Sequence, residues 1–256
     1  MLNKATEPMQ KQPTSHSAIQ WQQPLGVMLS AAEKHSLDKT LPQIFGYHAV
    51  QMGRLDQPDW LLASPIRQKV YFSEEIPRHR TNLSLICGNY YQLPFAPQSI
   101  DLFLLAHSLE FSSHPLTLLG EIHCSLMSEG RIIILGFNPL SLWGITRYII
   151  PKHFEFLWPR NVINLSRMRK LLDVADFEIE EIKGLFFRPP LINKNRLQRL
   201  NFLEKLGQTL WPCHGAVYQI KAKKRVVTLT PIKPRWQTSR ELLAKGLAEP
   251  SANTKG

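Results

Sequence analysis

The stretch IDLFLLAHSLEFSSHPLTLLGEIHCSLMSEGRIIILG, residues 100–136, decides the fold. Ile100 to Ala106 is apolar apart from Asp101, as in a strand covered on both faces. A helix then follows. Ser112 or Ser113 can cap it, and Pro115 falls in the first turn, where a missing N–H costs nothing. Leu116, Leu119, Ile122 and Leu126 form its apolar face, and Gly130 ends it. Arg131 to Phe137 (RIIILGF) is a second buried strand. Strand, helix and strand in this order predict two parallel strands joined by a crossover helix.

The same alternation extends in both directions. Residues 25–40 carry Leu25, Met28, Leu29 and Ala32 at helical spacing. Tyr47 to Met52 reads as a strand ended by Gly53, and Gln68–Phe72 and Leu83–Cys87 as two more. Leu165, Met168, Leu171, Leu172 and Ala175 make a helical stripe. Asp176 takes the left-handed exit, and FEIEEI follows as a strand. AVYQIKAKKRV closes the series and pairs with FEIEEI as an antiparallel edge. The reading is a mostly parallel sheet with helices on both faces. It places a disordered segment at 1–24, one domain at 25–228 and a basic flexible tail at 229–256.

Composition narrows the class. Apolar residues make up 43% of the 256, enough for a sizeable core. Three cysteines, Cys87, Cys124 and Cys213, lie far apart without metal-ligand spacing, which predicts neither a disulfide framework nor a zinc site and fits a reducing, cytoplasmic compartment. The polar first 24 residues do not read as a signal peptide, and Ile132–Ile150 is broken by Asn138, Pro139 and Arg147, so no integral membrane segment is expected. The net charge is +11, and residues 219–256 hold nine lysines and arginines against two glutamates. Such a run either solvates a terminus or attracts RNA or another anionic surface.

Residues 88–136 also carry an ordered set of short motifs: Gly88-Asn89, Leu93-Pro94-Phe95, Ser99-Ile100-Asp101, Leu109-Glu110-Phe111 and Glu129-Gly130-Arg131. In this order the sequence resembles the class I S-adenosylmethionine-dependent methyltransferases of the type 11 branch. The resemblance implies a Rossmann-like, doubly wound α/β fold, with a mostly parallel seven-stranded sheet and an antiparallel edge strand. It implies S-adenosyl-L-methionine as cofactor and a crevice at the carboxyl ends of the strands as its site. Carried over residue by residue, it points to Gly53 after strand one, Glu74 for the ribose hydroxyls, and Asn89 with Tyr90 after strand three. It further points to Leu93 in an apolar wall for the adenine, and to His107 at the end of strand four. Asn89 is either an acceptor for the adenine amino group or a turn residue. His107 is either a general base or a strand-end histidine bonded locally. Residues 41–48 are expected to fold over the cofactor, and the aromatic segment 137–158 to cover the core on the substrate side.

The first loop departs from the family pattern. Gln51 stands where an acid is usual, and Gly53 is followed by Arg54 and Leu55 instead of further glycines. Three functions follow. One is a methyltransferase acting on a small or lipid-like molecule. Another is an RNA methyltransferase using the basic tail. The third is a non-catalytic protein of the same fold.

Overall fold

The computed structural model describes residues 24–53, 58–74, 83–141, 144, 161–187 and 215–226. The N-terminal segment 1–23, the tail 229–256 and, of the aromatic segment 137–158, all but residues 137–141 and 144 lie outside the described residues. The chain divides into two units, Met1–Val226 and Val227–Gly256, and the described residues all fall in the first.

Helix α1 spans Pro24–Thr40 and runs into a short 3₁₀ turn, Leu41–Gln43. Strand β1 is His48–Gly53, β2 Gln68–Ser73, β3 Ser84–Cys87 and β4 Ile100–Ala106. After β4 come a single turn, α2 (Ser108–Phe111), and the crossover helix α3 (Pro115–Ser125). Strand β5 is Leu126–Phe137, helix α4 Leu165–Val174, β6 Phe177–Leu185 and β7 Val217–Lys224. A 3₁₀ segment, Pro58–Ala63, lies between β1 and β2.

The strands order as β3-β2-β1-β4-β5-β7-β6 in one seven-stranded sheet. The pairs from β3 to β5 are parallel, and β7 runs antiparallel to both β5 and β6. The expected antiparallel strand is therefore present, but it sits one place in from the edge; the edge strand β6 runs with the others. The topology reverses between β1 and β4, the neighbours from which the chain winds outward in opposite directions.

Alternation along the central strands divides the core. Ala49 of β1, Leu102 and Leu104 of β4 and Ile133 and Leu135 of β5 pack with Leu29 and Leu37 of α1. Their in-between neighbours Val50, Phe103, Leu105, Ile132 and Ile134 pack with Leu119 and Ile122 of α3 and Met168 and Leu172 of α4. Both faces are apolar because both are covered, as a parallel sheet requires. The α4 reading holds at its exit, where Asp176 is left-handed at φ 56°; the structure adds a cap, Asn164, which accepts from the Arg167 N–H at 2.7 Å.

The α3 reading needs three corrections. Leu116 is exposed, and Leu118 is buried in its place beside Leu119 and Ile122. The cap residue is His114, whose side chain makes no capping bond; Ser112 Oγ instead accepts from the His114 N–H at 3.3 Å. The helix ends at Ser125, and the left-handed residue beyond it is Glu129 at φ 68°, not Gly130.

The expectation that residues 41–48 fold over the cofactor is not met at Tyr47 and His48, which lead into β1. The N–H groups of Tyr47 and His48 donate to Asp101 Oδ2 at 2.7 and 2.9 Å, at the start of β4. That pins Tyr47 and His48 to the amino end of the strands, opposite the expected site. Nor do the basic residues of β7, or Arg225 just after it, form an unpaired run. Lys221 pairs with Glu180, Lys223 with Glu129, and Arg225 with Asp173, while the Lys224 ammonium donates to the carbonyls of His123 and Leu126 at the end of α3. No helix among the described residues is long and apolar enough to cross a membrane.

Candidate functional site

The carboxyl ends of β1, β2, β3 and β4 lie side by side, and the residues expected at the site leave the sheet there. Gly53 ends β1 with φ +92°, and a Cβ on it would stand 2.1 Å from the Ala106 carbonyl oxygen of β4. Glycine is needed for that close approach whatever follows it in sequence. Arg54 and Leu55 lie outside the described residues.

Glu74 follows β2 directly. Its carboxylate is exposed and accepts from the Tyr90 N–H at 3.4 Å, which joins the ends of β2 and β3. Burial, with the Glu74 charge adding to it, pushes the Tyr90 phenol well above the ordinary tyrosine range, so it stays a neutral hydroxyl. The Tyr90 ring lies 5.6 Å from Phe72, and Phe95 lies 5.8 Å from Phe72 and 5.9 Å from Phe103. Leu93 is half-buried beside this group, and its N–H donates to Glu121 Oε2 of α3 at 3.3 Å. The apolar wall expected from Leu93-Pro94-Phe95 is thus an aromatic cluster in which Phe95 turns toward the core.

For Asn89 the geometry supports the turn role. Its Oδ1 accepts from the Tyr91 N–H at 2.8 Å, and its carbonyl accepts from the Gln92 N–H at 3.2 Å. The side-chain oxygen shapes the loop after β3.

His107 is the largest departure from expectation. It is fully buried, in the left-handed region at φ 60°. Its Nε2 lies 2.9 Å from Glu33 Oε1 of α1 and its Nδ1 lies 3.1 Å from Glu110 Oε2 of α2. Glu110 Oε1 accepts from the Phe137 N–H at 2.5 Å, and the Phe137 ring lies 4.4 Å from the imidazole. Burial by itself lowers the imidazole pKa. The Glu33 charge and the hydrogen bonds to Glu110 and Glu33 outweigh it, and the pKa is pushed up to about 9. Burial raises the Glu110 carboxyl in turn, against the lowering effect of His107. An imidazolium with both nitrogens bonded to carboxylates has no lone pair to take a proton. Full burial and the two carboxylate contacts support the second alternative for His107, a histidine bonded locally that joins neighbouring elements.

Two residues at this end went unseen in the sequence. Glu33 is as buried as Leu29 and Leu37, one turn to either side, so an acid interrupts the apolar line of α1; that interruption was the available signal. Ser108 follows His107 and is 2% exposed, and among the described residues its Oγ has no hydrogen-bond partner. Nothing in a lone serine would have shown this.

Comparison with known proteins places this geometry. Residues 67–134 match a family model described as a methyltransferase domain. An Escherichia coli K12 protein, YafS, described as uncharacterized, is 26% identical over 213 residues, covering 82% of each chain. Among solved structures, a chain of the complex between the Haloferax volcanii Trm112 methyltransferase activator and the putative methyltransferase superposes with a TM-score of 0.56 at 15% identity, covering 78% of this chain and 91% of that one. An S-adenosylmethionine-dependent methyltransferase from Archaeoglobus fulgidus gives 0.53 at 18% identity, covering 75% and 93%. The resemblance carried by residues 88–136 thus holds at two levels: residues 67–134 match the methyltransferase domain, and the sheet has the fold of the class I, type 11-like S-adenosylmethionine-dependent methyltransferases.

Proposed function

We propose that the chain is an S-adenosylmethionine-dependent methyltransferase whose acceptor is a small or lipid-like molecule. One observation carries the reading. Gly53, Glu74, Tyr90 and the unpartnered buried hydroxyl of Ser108 all leave the carboxyl ends of β1 to β4, around the point where the topology reverses. Ligands of open α/β sheets bind at that point.

The residues present fit the cofactor. When bound, S-adenosylmethionine supplies a methyl group activated by a sulfonium. Glu74 is an exposed acceptor suited to a pair of ribose hydroxyls. Leu93 and the neutral Tyr90 offer an apolar wall to a flat base. Ser108 Oγ, buried without a partner, gains a hydrogen bond from a polar ligand, and a buried hydroxyl left unpaired costs about 1–3 kcal/mol. Asn89 contributes by holding the loop after β3. Methyl transfer needs positioning and exclusion of water more than a strong base, which accords with a fully bonded His107.

The non-polar acceptor is supported by Phe111, which ends α2, and Leu140, which follows β5; both are substantially exposed at the carboxyl end of the sheet. The pairing of Lys221, Lys223 and Arg225 with acids weighs against these three residues as an RNA-binding surface. A cytoplasmic location is part of the same proposal, supported by the free thiols of Cys87 and Cys124.

A non-catalytic role is the second reading, favoured by Gln51, which lies buried within β1 where the family carries an acid. Titration calorimetry with S-adenosylmethionine and S-adenosylhomocysteine decides between them. At about a hundred times its dissociation constant a ligand stabilises a fold by roughly 2.7 kcal/mol, a melting shift of about 5–10 °C for a domain of this size. Silence in both measurements at millimolar cofactor would establish the second reading.

A further inference from the structure

Glu33, His107, Glu110 and Phe137 come from α1, the end of β4, α2 and the end of β5, yet one line of hydrogen bonds joins them. A second polar tie fastens the other end of α1: Gln219 Nε2 of β7 donates to Thr40 Oγ1 at 3.0 Å. Apolar packing alone does not call for either tie. A leucine at position 33 would continue the line of Leu29 and Leu37, and exchanging a buried ion pair for apolar groups is often neutral or stabilising. What the ion pair adds is a single permitted geometry. His107 needs such a constraint, because a left-handed non-glycine residue persists only where its surroundings over-determine it. The residues on either side of it form the crevice: the Ala106 carbonyl lies against Gly53, and Ser108 carries the unpartnered hydroxyl.

We propose that Glu33 is a positioning residue: by holding His107 it fixes the left-handed step after β4, and with it the placement of Ser108 and of α1 at the cofactor crevice. The part concerning the cofactor rests on the function proposed above. Among the described residues, the titratable groups around His107 are Glu33 from α1 and Glu110 from α2, and the Glu110 charge acts in turn on the Tyr218 phenol of β7.

The test uses the full chain with Glu33→Gln and, as an apolar replacement that keeps the helix packed, Glu33→Leu. Three quantities are read: the ¹⁵N shifts of the His107 imidazole, hydrogen exchange across 24–40 and 106–111, and the dissociation constant of S-adenosylhomocysteine. In the parent at pH 7.5 the ring is expected to read as imidazolium. In both variants it should titrate at lower pH, and exchange in the two segments should rise about tenfold while β5 and β7 stay protected. Affinity should fall about tenfold. Unchanged exchange and imidazole signals in a folded variant would overturn the tie. Altered signals with unchanged affinity would overturn its positioning role. A parent chain that binds no S-adenosylhomocysteine defeats the cofactor reading instead, and exchange over 106–111 then judges the tie by itself.

Discussion

A histidine between two carboxylates makes stability depend on pH in a defined direction. The folded pKa of His107 is about 9, above its ordinary 6.5, so its contribution is complete below 6.5 and is lost as pH rises to 9. The loss amounts to roughly 3 kcal/mol at most. Burial raises both Tyr90 and Tyr218 above the ordinary tyrosine range, so their effects begin only above about pH 10 and leave this window clear. Urea midpoints taken from pH 6.5 to 9.5 are expected to fall, and the fall should largely vanish in His107→Gln. A flat parent profile would mean that the ring is neutral when folded. Gly53 gives a second expectation. Alanine there combines a left-handed φ with a Cβ pressed on the Ala106 carbonyl, and should cost about 2 kcal/mol or more in chemical denaturation. At Asn89, aspartate keeps an acceptor for the Tyr91 N–H and leucine does not. Asn89→Asp should melt like the parent, whereas Asn89→Leu should lose about 1 kcal/mol.

Among the elements, α3 offers the sharpest comparison. Leu118→Ala opens a cavity under the sheet and is expected to cost about 2–5 kcal/mol, while Leu116→Ala on the exposed side should stay within about 0.5 kcal/mol. Reversed values would restore the apolar face read from spacing alone. That spacing failed because Leu116, Leu118 and Leu119 crowd one turn, and the helix rotation is settled by the sheet it meets. The strands were legible for the opposite reason: β4 and β5 are apolar nearly throughout, and only a doubly covered strand reads so. Of the site, the positions at the strand ends were legible because motif order fixes which loop each residue leaves from. Partnerships were not. His107 meets Glu33 across 74 residues, and no local pattern encodes a pair so distant. The same holds for Lys221 and Lys223, which read as a basic run until the sheet sets acids from β5 and β6 beside them.

At the scale of the molecule, strand pairing among the described residues is complete at Lys224. A chain ending at Val226 is therefore expected to melt at nearly the same temperature as the full chain, and a marked drop would show that Trp236 or Leu242-Leu243 belongs to the core. Cutting before Val217 is a different matter. Translation delivers six of the seven described strands, β6 included, before the strand that lies between β5 and β6 exists. Until β7 emerges, the nascent sheet shows an open edge at β5, and β6 has no neighbour to pair with. Unpaired edges of this kind are templates for joining another chain. Strand β7 is thus a wedge, and the sheet can close only once residues 217–224 have been made. A ribosome stalled anywhere between β6 and β7 should hold a chain that is rich in local structure, aggregation-prone, and rescued by adding residues 215–226 as a separate peptide.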